Sequence, residues 1–87
     1  MSYEEIKLQK SPEVTALLDN RHILEEEVKQ VIHHGETSGE KLYQPETNRF
    51  LAKLRLGEVT FYVEYSAEGN AFAVHIAYSH RSEIVGG

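Results

Sequence analysis

The stretch FLAKLRLGEVTFYVEY, residues 50–65, decides the fold because apolar side chains occupy every second position on both sides of a short turn. This period of two is the pattern of half-buried β-strands. The turn is Gly57 and Glu58, and a glycine-first pair is typical of a two-residue hairpin. The pairs that it predicts on one face are Leu56 with Val59, Leu54 with Phe61, and Ala52 with Val63. A slip of one residue would place the two apolar sets on opposite faces.

The sheet is predicted to extend to both sides of this hairpin. KLYQ at 41–44 is a short strand, and alternation resumes after the turn SAEGN at 66–70. The last strand is expected to add four side chains to the apolar face: Phe72, Val74, Ile76 and Tyr78. The sequence therefore predicts an antiparallel meander of three to four strands within residues 41–80.

Two helices are predicted before the sheet, within residues 11–35. Ser11 and Pro12 are typical of a helix N-terminus, and the short helix that they begin is expected to end near Asn20. The second helix is indicated by apolar residues at steps of three and four: Leu24, Val28, Val31 and Ile32. We expect three glutamates in its first turn, a His33-His34 pair in its last turn, and Gly35 to end it.

The predicted fold class is α+β, with the two N-terminal helices packed on one face of the antiparallel sheet, the face that carries Phe61. A chain of 87 residues is expected to form a single domain, 1–87. Residues 1–10 are predicted to be a loosely held arm or a short edge segment. Residues 82–87 are predicted to be a tail.

Composition excludes several kinds of site. The formal net charge is −5, from 9 basic and 14 acidic residues, which argues against nonspecific nucleic-acid binding. The absence of cysteine excludes disulfides and thiolate metal sites. No apolar run approaches the length of a membrane span, and the opening MSYEEIKLQK does not resemble a signal peptide. The expectation is a cytoplasmic protein that does not bind membranes.

The candidate site is the sheet face opposite the apolar one, where His75 is expected. The side chains predicted to share this face are Lys53, Arg55, Tyr62, Glu64, Ala73 and Ala77. A two-residue turn at 69–70 would place Glu64 across from His75, and a four-residue turn would place Tyr62 there. A carboxylate near the imidazole would raise the pKa of His75.

Three interpretations of this face remain open. The first is an ordinary solvated sheet face without a function. The second is a partner-binding face formed by Lys53, Tyr62, Glu64 and His75. The third is acid–base catalysis on a phosphate backbone by Lys53, Arg55, Tyr62, Glu64 and His75. Alanines and a leucine make the face shallow, which favours partner binding over catalysis.

No metal site, cofactor or small-molecule ligand is predicted. His33 and His34 are neighbours on a helix, so their side chains diverge by about 100° and do not chelate one ion without a third ligand. The chain also lacks a glycine-rich dinucleotide loop.

The chain resembles a small module of anaerobic and sulfate-reducing bacteria, found alone or attached to NAD(P)H-linked iron–sulfur flavoproteins of the glutamate synthase small-subunit type. The stretches that carry the resemblance are LDNRHILEEEVKQVI (18–32), GEKLYQPETNRFLAKLR (39–55), VTFYVEYSAEGNAFAVHIAYSHR (59–81) and the following SEI. It implies a non-enzymatic accessory module that associates with a protein partner, or with itself as a dimer, in an electron-transfer setting.

A second resemblance gives an alternative function. HILEEEVKQVI (22–32) is similar to the helix that precedes the sheet in RelE-like toxins, which cleave messenger RNA with residues of the exposed sheet face. This resemblance implies a ribonuclease that uses Lys53, Arg55, Tyr62, Glu64 and His75. The predicted function is therefore a protein-interaction module, and the alternative is a ribonuclease.

Overall fold

The computed structural model describes residues 3–81 of the chain. These residues form an α+β fold of two helices and one five-stranded sheet, preceded by a 3₁₀ turn at Tyr3–Glu5. The elements are β1 (Leu8–Gln9), α1 (Pro12–Asn20), α2 (Glu25–Ser38), β2 (Lys41–Gln44), β3 (Arg49–Leu56), β4 (Val59–Glu68) and β5 (Ala71–Arg81). The strand order is β1-β5-β4-β3-β2.

The prediction of three to four antiparallel strands is partly wrong. Strands β2 to β5 form the antiparallel meander that the sequence predicts, but β1 adds a fifth strand that runs parallel to β5 and pairs Leu8 with Phe72. A two-residue strand is too short to show alternation, so residues 1–10 gave no periodic signal. The predicted tail at 82–87 lies outside the described residues.

The central hairpin is confirmed. The structure pairs Leu56 with Val59 across the turn, and the register continues along both strands as predicted. Gly57 has a φ of 67°, a backbone conformation that glycine adopts without the steric cost of a Cβ atom. The start of α1 is also confirmed, since the Ser11 Oγ accepts a hydrogen bond from the Val14 N–H at 3.2 Å.

The prediction that Gly35 ends α2 is wrong. The helix continues to Ser38 and ends at Gly39, whose φ is 76° and whose N–H donates to the Gly35 carbonyl. Gly35 is instead a buried contact point with the sheet: a Cβ atom there would lie 3.0 Å from the Ala52 Cβ and 3.2 Å from the Tyr65 hydroxyl. Glycine at this position therefore lets the helix approach the sheet closely.

The core lies between the helices and the inner face of the sheet. Its buried members are Val14, Leu18, Ile23, Val28, Val31, Ile32, Ala52, Phe61, Val63, Tyr65, Val74 and Ala77. The Tyr65 hydroxyl donates to Glu36 at 2.7 Å, and Lys41 also binds that carboxylate. Burial raises the pKa of Glu36, but these two hydrogen bonds outweigh it and hold the pKa below its ordinary value. The polar network therefore ties the end of α2 to β2 and β4.

A β-bulge in β5 changes which side chains of this strand reach the core. Tyr65 pairs with Val74, but the preceding Glu64 pairs with Ile76, so His75 is an extra residue without a partner. After the bulge the alternation is reversed. The two-residue turn form is confirmed by the pairing of Glu68 with Ala71, yet its consequence, Glu64 directly across from His75, is wrong.

Three face assignments in β5 are corrected by this bulge. Ile76 and Tyr78 were expected in the core, but they are 37% and 39% exposed. Ala77 was expected on the open face and is fully buried. Phe72 and Val74, which precede the bulge, lie on the core side as predicted.

Candidate functional site

The face of the sheet that points away from α2 is the candidate site, and we call it the outer face. Helix α2 packs against β3 and β4 on the opposite face. The register brings together two rows of outer-face side chains. They are Leu51, Glu64 and Ile76 in one row, and Lys53, Tyr62 and Tyr78 in the next. Apolar and aromatic side chains thus lie next to one another on a face that the sequence predicts to be mainly polar.

An aromatic pair occupies the middle of the outer face. The Tyr62 and Tyr78 rings are stacked, with centroids 4.8 Å apart and planes inclined by 12°. Tyr62 was predicted on this face, whereas Tyr78 was predicted in the core. The β-bulge places the Tyr78 side chain on the outer face. No periodic pattern in the sequence indicates this change of face.

A shallow depression of about 500 Å³ lies beside this pair, at the β2 side of the sheet. Its apolar wall consists of Leu42, Leu51 and Tyr62, and Lys53 and Glu40 lie at its border. Leu42 is 64% exposed. Such a surface offers apolar contact area without an enclosed cavity, which is the form of a protein-binding surface more than of a catalytic pocket.

His75 lies at the other side of the outer face and is held by a neighbour on β4. Its Nε2 is 2.7 Å from the Ser66 Oγ. Burial lowers the pKa of His75, and the Arg49 guanidinium lowers it further, while Glu64 and Glu68 act in the opposite direction. The expected effect of a carboxylate is present, but burial and Arg49, which is paired with Glu64 at 2.8 Å, outweigh it, so the pKa of His75 is lowered and not raised.

A second depression, of about 480 Å³, lies between His75, Arg49 and the start of α1. Lys10 and Glu13 also line it. Lys10 forms an ion pair with Glu25 at 2.8 Å, and Arg49 is paired as described above. Both cations therefore already have carboxylate partners, so this depression does not present uncompensated positive charge to an anion.

The structure brings some of the predicted site residues together and separates others. Lys53 and Tyr62 are direct neighbours across β3 and β4. Glu64 is paired with Arg49, and both side chains lie close enough to His75 to shift its pKa. Arg55 lies apart, and its Nε donates to the Gly57 carbonyl at 2.9 Å. The five residues of the catalytic alternative thus follow the sheet in successive rows and do not converge on one point.

The His33-His34 pair lies one turn before the end of α2, not in its last turn, because the helix continues past Gly35. The His34 Nε2 lies 3.2 Å from a Glu40 carboxylate oxygen. Within residues 3–81, no group of three or more histidine, aspartate or glutamate side chains is placed to hold a metal ion. No helix of that part of the chain is long and apolar enough to cross a membrane.

No protein-family model, curated protein or solved structure matches the chain.

The pKa of His75 is expected to be below its ordinary value of 6.5, and its charged neighbours make this testable. Arg49→Gln should raise the pKa, since it removes a cation and leaves Glu64 without its partner. Glu64→Gln should lower the pKa further. The measurement is an NMR titration of the imidazole. Shifts of the same sign in both variants would contradict the assigned surroundings.

Because the pKa of His75 is lowered in the folded protein, the free energy of unfolding is expected to depend on pH. The unfolded chain protonates His75 near pH 6.5, whereas the folded protein resists protonation until a lower pH. The resulting contribution to the free energy of unfolding is complete above pH 6.5 and is lost progressively as the pH falls below it. Chemical denaturation of the wild type and of His75→Gln across this range is expected to show the loss only in the wild type.

Proposed function

We propose that the protein is a non-enzymatic interaction module that binds a protein partner through the outer face. The observation that supports this most is the position of Ile76 and the Tyr62–Tyr78 pair on an exposed sheet face. Large aromatic side chains are enriched at the energetic centres of protein interfaces. The β-bulge at His75, which places Ile76 and Tyr78 on this face, lies within an otherwise regular ladder.

The charged side chains around the outer face indicate which kind of partner surface would bind there. Lys53 lies directly beside the aromatic pair and Arg55 lies one row farther along β3. Neither forms a salt bridge with another described residue. The first turn of α2, in contrast, contains Glu25, Glu26 and Glu27. We therefore propose a partner surface with an apolar centre and carboxylates at its border, since opposite charges at the rim steer association.

The sequence resemblance to modules of iron–sulfur flavoproteins supplies the first class of partner to test. The proposed arrangement leaves redox chemistry to that partner, and the module contributes a docking surface. Self-association through a different surface is compatible with this role.

The test compares the wild type with a Tyr62→Ser/Tyr78→Ser double variant. We expect the double variant to lose at least about tenfold in affinity for the partner, the equivalent of about 1.4 kcal/mol. Affinity capture followed by titration of the purified partner supplies the measurement. The affinity of the wild type should also fall with salt, and Lys53→Glu should weaken it.

A matched control uses Leu24, which is 63% exposed on the helical side of the molecule. Leu24→Ser removes exposed apolar area without touching the outer face, so it should bind like the wild type. Both variants should keep the melting behaviour of the wild type. Unchanged partner binding by the double variant would overturn the proposal. Cleavage of RNA by the purified protein, lost in His75→Ala, would instead support the ribonuclease alternative.

A further inference from the structure

The two edges of the sheet differ in how they are covered. The β5 edge is covered over part of its length: β1 pairs with Phe72 and Ala73, α1 packs against the strand, and Arg21 donates to the Ala77 carbonyl at 2.9 Å. The β2 edge pairs only with β3 among the described residues. Within residues 3–81 no strand pairs with its other side, where the Lys41 N–H donates to the Gly39 carbonyl at 2.9 Å. An open strand edge can template pairing with another strand.

The side chains of β2 do not protect this edge. Natural edge strands are commonly guarded by a lysine that points into solvent. In β2, however, the Lys41 ammonium binds Glu36 and lies 4.3 Å from the centre of the Phe50 ring. Leu42 and Tyr43 remain 64% and 50% exposed. The open edge is therefore apolar where it is most accessible.

We propose that β2 pairs with β2 of a second copy of this chain. The two strands run antiparallel about a two-fold axis, and the two five-stranded sheets become one continuous sheet. This inference concerns the sheet edge and does not depend on a partner at the outer face. A self-complementary contact of this kind closes as a dimer.

The alternation of β2 restricts the register of the pair. Residues that pair directly point to the same side of a sheet, so only registers centred on a residue join outer face to outer face. A register centred on Leu42 pairs Leu42 with its copy, Lys41 with Tyr43, and Glu40 with Gln44. No like charges meet in this arrangement.

The neighbouring registers are less favourable. A register centred on Lys41 places two ammonium groups opposite each other, next to the Lys41–Glu36 ion pair of each copy, and like charges directly opposite each other destabilise a strand pair. A register centred on Tyr43 opposes Glu40 with Glu46 and draws Pro45, which has no N–H to donate, into the ladder. Charge and backbone chemistry therefore select the register centred on Leu42.

The depression beside β2 is continuous with this contact. Its wall includes Leu42, Leu51 and Tyr62, so the two-fold axis brings two apolar depressions side by side. A ladder of four residues is short, and interfaces below about 1,200 Å² of total buried surface are usually weak. We expect a dimer with a Kd in the micromolar range.

The absence of cysteine in the chain allows a direct test by disulfide trapping. In the proposed register, Leu42→Cys places two thiols opposite each other at the two-fold axis, with Cβ atoms about 4.5–5.5 Å apart. Oxidation should convert this variant into a covalent dimer. Ala16→Cys, exposed on α1, is the matched control and should form no comparable fraction of dimer.

Two further variants make the result decisive. Sedimentation equilibrium should show a concentration-dependent dimer for the wild type and a folded monomer for Leu42→Lys, in which two ammonium groups would meet. The single Tyr78→Ser variant changes the outer face outside the lining of the depression beside β2 and should still dimerise, so failure of the outer-face proposal is distinguishable from failure of this one. A monomeric wild type, equal trapping of both cysteine variants, or trapping of Leu42→Cys on a different protein would each overturn the proposal.

Discussion

Replacing Gly35 with valine is expected to lower the free energy of unfolding by about 2–3 kcal/mol, the usual cost of overpacking a well-filled core. A Cβ atom at this position already lies 3.0 Å from the Ala52 Cβ and 3.2 Å from the Tyr65 hydroxyl. The γ carbons of valine would force α2 away from the sheet. A domain of this size has a total stability of about 4–13 kcal/mol, so the loss is a large fraction of it.

Urea denaturation of Gly35→Val and Gly39→Ala separates packing from backbone strain. Gly39 has no neighbour within 4 Å of an added Cβ, but its φ is +76°, so alanine there should cost about 1–2 kcal/mol through left-handed backbone strain alone. Gly35 has no such strain, and alanine at this position regains up to about 1 kcal/mol of helix propensity. A Gly35→Val variant as stable as the wild type would show that α2 does not need its close approach to the sheet.

The central hairpin was predictable because two independent signals agree. The turn at Gly57 and the alternation on both sides specify the same register, and a wrong register would expose every apolar side chain of one strand. The end of α2 was not predictable in this way. Gly35 and Gly39 both satisfy the local rule for a helix end, and only the contact of Gly35 with Ala52 and Tyr65 distinguishes them.

Less of the candidate site than of the fold could be predicted from the sequence. Lys53 and Tyr62 were placed together correctly because their register depends on the well-determined hairpin. Ile76 and Tyr78 alternate in phase with Val74, so the sequence gives no local sign of the bulge at His75. Ala77 is fully buried and Tyr78 is exposed. At this end of β5 the inner face therefore accommodates a small side chain, and the large Tyr78 ring lies on the outer face.

The reversal of faces at the bulge predicts opposite results for two neighbouring substitutions. Ala77→Asp places a carboxylate at a fully buried position, where the Arg21 guanidinium is already engaged by the Ala77 carbonyl. We expect it to destabilise the protein by about 3–5 kcal/mol, enough to unfold much of the population at room temperature. Ile76→Asp changes a residue that is 37% exposed. Its effect is expected to stay within about 1 kcal/mol.

The Ala77→Asp and Ile76→Asp variants test the position of the bulge and the proposed function together. Uninterrupted alternation through β5 would bury Ile76 and expose Ala77, so the order of the two effects would be reversed. Deletion of His75 supplies a further check, because it removes the extra residue and leaves Ile76 and Tyr78 on the outer face, so the variant should fold. Circular dichroism and urea denaturation measure the stability of all three variants. Folded Ile76→Asp should also bind the partner more weakly, since its new carboxylate lies in the interface that we propose to meet an acidic rim.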